Sequence, residues 1–213
     1  SSTGLSSDSQ DFTLTFGAAN QLAFTTPATT VNDTVFATQP TITIQDQDGN
    51  TVTDSTATVT LSSSTATIGG TVAMDATAGV ANFSGKGVKL TGGTGTKSMT
   101  ATITGGIVKT NNITITYGAA YKLAITQQAA GAVNGVAFTT QPKVTVQDIS
   151  GNTVDNATDP IGVSSSGATL SGTTPVSAAN GTATFSGLKL TGTAATYTLT
   201  FTSGSLASDQ QSI

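Results

Sequence analysis

The sequence contains two copies of one pattern, separated by about 100 residues. GAANQLAFTT at residues 17–26 returns as GAAYKLAITQ at residues 118–127. FATQPTITIQDQDGNTV at residues 36–52 returns as FTTQPKVTVQDISGNTV at residues 138–154. A repeat of this length is long enough for each copy to bury a core of its own. The chain is therefore expected to fold as two similar domains joined in tandem.

The two predicted domains are residues 17–117, called unit one, and residues 118–213, called unit two. Threonine alternates with apolar residues in stretches such as TITI at 41–44 and TLTF at 198–201, which predicts half-buried strands. Glu and Arg, both good helix formers, do not occur in the chain. About seven strands in about 100 residues is typical of an immunoglobulin-like β-sandwich. The predicted fold class is all-β, with two tandem sandwiches of this kind.

Each unit is predicted to contain its strands in the order A to G. In unit one the predicted strands are A 21–26, B 39–46, C 57–63, D 66–72, E 79–90, F 97–104 and G 111–117. In unit two they are A 122–127, B 141–148, C 159–166, D 168–173, E 181–190 and F 196–203. The apolar residues of these strands form the predicted cores, which are Leu22, Phe24, Ile42, Ile44, Val59, Leu61, Ile68, Phe83, Leu90, Met99 and Ile103 in unit one and Leu123, Ile125, Val144, Val146, Ile161, Val163, Leu170, Phe185, Leu190, Leu199 and Phe201 in unit two.

Three stretches of unit two resemble the bacterial immunoglobulin-like repeats of invasin- and intimin-type surface proteins. They are QPKVTVQDISGNTV at 141–154, NGTATFSGLKLTGT at 180–193 and YTLTF at 197–201. The resemblance covers nearly the whole chain, twice. It implies a stalk or scaffold role in a cell-surface protein or secreted fibre, with adhesin-type binding often confined to a terminal domain.

The segment that precedes unit one, residues 1–16, is expected to belong to a preceding or neighbouring domain. Within it FTLTF aligns with the strand G of unit one, so that Phe12 matches Ile113 and Phe16 matches Tyr117. Unit two stops at Ile213, the counterpart of Ile113, and is expected to lack most of its own strand G. The residues predicted to form the spare strand are Phe12, Thr13, Leu14, Thr15 and Phe16.

Two interpretations fit this arrangement of strands. The chain is either a window of a longer tandem array, or a filament-forming subunit whose first strand completes a neighbour, as in donor-strand exchange. LSSDSQDF at 5–12 recurs as LASDQQSI at 206–213, which favours the array because a dedicated donor need not duplicate residues that the acceptor already has. Both interpretations predict head-to-tail partners, which are copies of this chain or adjacent repeats. Only about three residues are predicted between strands G and A at the connection 114–126, which favours a stiff rod.

The residue types of the chain argue against catalysis. Without His, Cys, Glu or Arg, the common acid–base and nucleophile pairs cannot be assembled, so neither an enzyme nor a cofactor is expected. The net charge of −4 argues against nucleic acid as a partner. No apolar run approaches the ~18–20 residues that a membrane-spanning helix needs.

One weak metal candidate is the stretch DQDGN at 46–50. Asp46, Asp48 and Asn50 present oxygen atoms of the kind that Ca²⁺ prefers. The spacing does not fit an EF-hand loop, and unit two has Ser150 in place of Asp48. The alternative is a hairpin turn in which Gly–Asn tolerates positive φ.

The alternative function is an adhesin-type binding module that recognises glycan, ice or a host protein. In this alternative, the exposed Thr rows form the binding face, and loops at one end of a sandwich often carry specificity. The loops TGGTGT at 91–96 and SAANGT at 177–182 lack the aromatic and Arg anchors that are common at binding hot spots. The sequence identifies no ligand.

Overall fold

The computed structural model describes residues 10–213. All of the regular secondary structure in this range is β-strand, in 19 strands, so the all-β prediction is confirmed. Among the described residues there is no helix of the length and apolarity that crossing a bilayer requires.

Unit one contains ten strands that form two main sheets. They are β1 (Gln21–Thr25), β2 (Thr29–Val31), β3 (Thr41–Gln45), β4 (Thr58–Ser62), β5 (Thr67–Gly69), β6 (Ala73–Asp75), β7 (Val80–Asn82), β8 (Lys89–Thr91), β9 (Gly95–Ile103) and β10 (Val108–Thr116). One sheet has the order β1-β3-β7, the other the order β2-β10-β9-β4-β6, and β5 pairs with β8. All of these pairings are antiparallel except that of β2 with β10, which is parallel.

Unit two repeats most of this arrangement with nine strands. They are β11 (Lys122–Gln127), β12 (Lys143–Gln147), β13 (Pro160–Ser165), β14 (Thr169–Ser171), β15 (Val176–Ser177), β16 (Thr182–Thr184), β17 (Lys189–Thr191), β18 (Thr198–Thr202) and β19 (Asp209–Ser212). The sheets have the orders β11-β12-β16 and β15-β13-β18-β19, and β14 pairs with β17. The described part of unit two has no counterpart of the parallel β2–β10 pair.

Period-2 alternation explains how the strands build two separate hydrophobic clusters. In β4 the exposed Thr58, Thr60 and Ser62 alternate with the buried Val59 and Leu61. Strands of both main sheets contribute to each cluster, so the sheets face each other across it. Most of the predicted core residues are buried, and the exceptions, which are only partly buried, pack against the same clusters: Phe24, Ile68, Ile125, Val163 and Leu170.

The predicted strand E is wrong as a single element in both units. In unit one it divides into β7 and β8, and in unit two into β16 and β17. Gly85 and Gly87 have φ values of 71° and 68°, and Gly187 has a φ of 65°, so the chain turns out of the extended conformation between the two halves. The second half of each strand E then pairs with the first half of the predicted strand D.

Candidate functional site at the junction of the two units

A short connection joins the last strand of unit one to the first strand of unit two. Strand β10 ends at Thr116 and strand β11 begins at Lys122. The first residue of unit two, Gly118, donates its backbone N–H to Asp148 Oδ2 at 2.9 Å. The connection is therefore fixed to the body of unit two directly after the last strand of unit one.

The acceptor, Asp148, stabilises the turn that follows β12. Its Oδ1 accepts hydrogen bonds from the backbone N–H groups of Ser150 and Asn152, both at 2.9 Å. Its Oδ2 accepts one from Asn152 Nδ2, also at 2.9 Å. Asp often folds back on the following backbone in this way, and Gly151, with a φ of 86°, allows the chain to turn.

Asn32 of unit one reaches across the junction to this turn. Its Nδ2 donates to Asp148 Oδ2 at 2.9 Å and to Ser150 Oγ at 3.0 Å. Its Oδ1 accepts a hydrogen bond from the backbone N–H of Gly92 at 2.8 Å, which fixes the orientation of the amide. Asn32 and Asp148 are 2% and 0% exposed, so this bond is made away from water.

Asn152 makes a second crossing between the units. Its Nδ2 donates to the carbonyl oxygen of Gly92 at 2.9 Å, and its Oδ1 accepts from the backbone N–H of Thr94 at 3.0 Å. Gly92 thus bonds both Asn32 and Asn152. Together with the Asn32 contacts, four side-chain hydrogen bonds join the two units.

These contacts keep the Asp148 carboxylate charged. Burial raises the pKa of Asp148, but hydrogen bonds from Gly118, Asn152 and Asn32 outweigh burial, so that the pKa lies below its ordinary value. An ionised carboxylate accepts stronger hydrogen bonds than a neutral acceptor does. The charge therefore strengthens both the turn and the bond from Asn32.

The predicted calcium candidates form the same kind of turn in unit one. Asp46 accepts backbone hydrogen bonds from Gly17, Asp48 and Asn50 at 2.8, 3.0 and 2.9 Å, and Asn50 Nδ2 donates to it at 3.0 Å. The bond from Gly17, followed by that from the Asn50 side chain, lowers the pKa of Asp46 to about 2.

The Asp46 oxygens are thus already engaged by N–H donors, which a cation would have to displace. Within residues 10–213 no group of three or more His, Cys, Asp or Glu side chains is placed to hold a metal ion. Calcium binding by Asp46, Asp48 and Asn50 stays a prediction, and the geometry favours the hairpin-turn alternative.

The predicted donor segment, residues 12–16, lies directly before Gly17, whose backbone N–H binds Asp46. Residues 12–16 form no strand, and Phe12 and Leu14 are 87% and 96% exposed. Phe16 packs against the core of unit one, just as Tyr117 packs against the core of unit two. The segment pairs with no strand of the described chain. Its pairing in a neighbouring unit stays a prediction.

The opposite end of unit two has an open groove. In unit one β9 begins at Gly95, where Ile115 of β10 pairs with it. In unit two β18 begins only at Thr198, and β19 ends at Ser212, followed by Ile213. A cavity of about 240 Å³ lies beside this end, lined in part by Ala132, Val133, Leu190, Ala195, Tyr197 and Ile213.

Asn134 lies at the rim of the same groove, at the position that Asn32 holds in unit one. Its Oδ1 accepts a hydrogen bond from the backbone N–H of Gly192 at 3.0 Å, as Asn32 does from Gly92. Asn134 is exposed, whereas Asn32 is buried in the junction. The groove end of unit two therefore repeats the Asn–Gly hydrogen bond of the junction side of unit one.

Sequence reasoning did not identify Asn32, Asp148, Asn152 or Asn134 as functional residues. The signal was present, because Val–Asn recurs at 31–32 and 133–134, and Gln–Asp and Gly–Asn both recur in the turn that follows strand B. Both motifs are common in ordinary turns, so recurrence alone does not distinguish an inter-domain contact from a local one.

No family model matches the chain, and no curated protein matches it. Among solved structures, a β-glucuronidase of Parabacteroides merdae aligns at 11% identity and a TM-score of 0.35, over 91% of this chain and 24% of that one. A β-glycosidase of Bacteroides vulgatus aligns at 15% identity and a TM-score of 0.36, over 92% and 25%. Domains 5–6 of the S-layer protein SbsC align at 19% identity and a TM-score of 0.29, over 92% and 96%.

The chain thus spans about a quarter of the two glycosidase chains it matches. At these TM-scores the alignments carry no argument about function.

Proposed function

We propose that this chain is a structural segment of a secreted or cell-surface bacterial protein, in which two immunoglobulin-like sandwiches form part of a stiff tandem-repeat stalk or fibre. The observation that carries the proposal is the hydrogen-bonded junction. Asn32 and Asn152 cross it in opposite directions, and Gly118 is anchored on Asp148 at its centre. A flexible linker would leave these polar groups in water, whereas here Asn32 and Asp148 are buried.

The groove in unit two fits the same proposal. The groove corresponds to the place that residues 114–116 of β10 occupy in unit one. There these residues form hydrogen bonds with residues 28–32 on one side and with β9 on the other. A strand there, supplied by continuation of the chain or by residues 12–16 of a neighbouring subunit, would complete the sheet of unit two. Either source places the next unit at the end of unit two and extends the rod.

Small-angle X-ray scattering tests the stiffness of the pair. The wild-type chain should give a narrow distribution of interatomic distances with a fixed maximum, as two rigidly joined units do. Replacing both Asn32 and Asn152 by Ala should broaden the distribution, since four inter-unit hydrogen bonds depend on these side chains. Asn112→Ala, an exposed position in the middle of β10, is the matched control. A wild-type profile that already requires freely rotating units would overturn the proposal.

The cellular location has its own test. Antibodies raised against the chain should label intact cells of the source organism, or their secreted fibres, without permeabilisation. The alternative, an adhesin-type module for glycan, ice or a host protein, predicts a selective signal when the chain is applied to a glycan array or to ice.

A further inference from the structure

The two outer poles of the chain hold the two halves of the contact that the junction makes internally. At one pole, the Asp46 turn repeats the hydrogen bonds that Asp148 accepts within its own unit, including the backbone bond from the first Gly of the unit. At the other pole, Asn134 and Gly192 repeat Asn32 and Gly92. The internal junction therefore serves as a structural template for a contact between copies.

We propose that the Asp46 turn of one copy binds the Asn134 pole of a second copy of this chain, with the hydrogen bonds that join unit one to unit two. The proposal rests on the proposed head-to-tail arrangement and deepens it by assigning the residues that recognise the partner. The Asp46 turn, residues 46–50, is the acceptor half, and Asn134 with Gly192 is the donor half.

The donor half is already oriented. The bond from the Gly192 N–H to Asn134 Oδ1 holds the amide as the Gly92 N–H holds Asn32. Within residues 10–213 the Asn134 Nδ2 group has no hydrogen-bond partner, and the residue is exposed. Little side-chain ordering is therefore needed when Asn134 Nδ2 meets a carboxylate.

The acceptor half is also preformed. Asp46 is held charged by the N–H groups around it, as Asp148 is. Asn50 has the position of Asn152, so its amide would pair with the carbonyl of Gly192 and the N–H of Ala194, as Asn152 pairs with Gly92 and Thr94. The segment 12–16 is followed directly by Gly17, which binds Asp46, as residues 113–117 are followed by Gly118, which binds Asp148. A strand placed in the groove therefore leads directly to the contact.

One substitution between the repeats makes the contact between copies different from the internal one. At the junction Asn32 Nδ2 donates to the neutral Ser150 Oγ at 3.0 Å. The corresponding residue in unit one is Asp48, whose exposed carboxylate would accept the bond from Asn134. A hydrogen bond to an ionised acceptor is stronger than one to a hydroxyl group, so Asp48 gives the contact between copies an advantage that the internal contact lacks.

Sedimentation velocity on the intact 213-residue chain tests the proposal. Wild type should associate reversibly as its concentration rises. Asn134→Asp keeps an oxygen for the Gly192 N–H but sets a carboxylate against Asp46 and Asp48, and should weaken association about ten-fold or more. Asn112→Asp adds the same charge on the exposed face of β10 and should leave association unchanged. Adding Asp48→Lys to Asn134→Asp should restore a substantial part of the affinity.

A further variant separates this contact from strand pairing. Phe12→Asp changes a side chain that is 87% exposed in the free copy. Unlike Leu14, Phe12 does not line the cavity beside Asp46 and Asp48, so this variant should affect the pairing of residues 12–16 without adding charge next to the Asp46 turn. If Phe12→Asp abolishes association while Asn134→Asp behaves like Asn112→Asp, strand completion stands and the proposed contact is overturned. A wild-type chain that stays monomeric at the highest concentration also overturns the contact, but not the covalently joined stalk.

Discussion

Ile113 and Ile213 occupy one position of the repeat in two different environments, and they form a matched pair for measuring strand completion. Ile113 is 0% exposed, and β10 continues past it to Ile115, which is 1% exposed. Ile213 is only partly buried, at the end of the groove. Ile113→Ala should lower the free energy of unfolding of unit one by about 2–5 kcal/mol, the cost typical of truncating a fully buried Ile. Ile213→Ala should cost unit two less than half as much.

The assay is hydrogen exchange with mass spectrometry on the intact chain at increasing urea concentrations, because peptides from each unit report separately. The same pair is then measured in a chain extended beyond Ile213 by Thr-Ile-Thr-Tyr, the residues that follow Ile113 at 114–117. If these residues fill the groove, they continue the strand past Ile213 as β10 continues past Ile113, and Ile213 should become as buried as Ile113 is. The cost of Ile213→Ala should then rise to that of Ile113→Ala.

Two results would refute this reasoning. In the unextended chain, an equal cost for the two substitutions would mean that Ile213 is already as well packed as Ile113. In the extended chain, an unchanged cost for Ile213→Ala would mean that the added strand does not enter the groove. An extension of the same length made of Gly and Ser is the control for the added chain itself.

Three further predictions concern the turns. The melting temperature measured with and without a calcium chelator should agree within a degree or two, because calcium at a hundred times its Kd would add about 2.7 kcal/mol to the free energy of unfolding. A large fall in melting temperature on chelation that Asp48→Ala abolishes would contradict this prediction. The melting temperature should be constant above about pH 5 and should fall between about pH 4 and 2, because the pKa values of Asp46, about 2, and Asp148 are lowered in the fold. A carboxyl group whose pKa is lowered by folding stabilises the fold at any pH above its pKa in the unfolded chain. This stabilisation is lost as the pH falls through the pKa of the group in the folded chain. In urea titrations, Gly181→Ala should destabilise unit two more than Gly187→Ala. Both glycines have positive φ, 71° and 65°. A Cβ at residue 181 would lie 2.6 Å from the carbonyl oxygen of Val154, whereas a Cβ at residue 187 would have no atom within 4 Å.

The alternation of apolar and polar residues predicted most of the core, because it depends only on which side of a strand faces the other sheet. Val59 and Leu61 show this directly. The alternation does not indicate where a strand leaves its sheet. In unit one the first half of the predicted strand E pairs with β3 and the second half with β5, and Gly85 and Gly87 adopt left-handed φ values between the two halves.

The short strand β2 was missed for a similar reason. It has three residues, and it is held by a parallel pairing with β10, which lies far from it in sequence. Of its three side chains only Thr30 is buried, so it carries no apolar alternation that a strand search could detect. For the groove in unit two, comparing the two repeats indicated which strand is missing. It did not indicate that Asn134 lies exposed at the rim of the groove.

The polar character of the junction explains how one surface can serve both inside a rod and at its end. Its four hydrogen bonds join Asn side chains to a carboxylate, a hydroxyl and backbone groups. Each of these groups can be solvated when no neighbour is present, as Asn134 is at the outer pole. An apolar contact in place of these groups would add to the apolar surface that Val133, 60% exposed, already contributes to the outer pole, which favours non-specific association. Hydrogen bonds of defined direction therefore fix the register between successive units, while the groups that form them remain compatible with water at a free end.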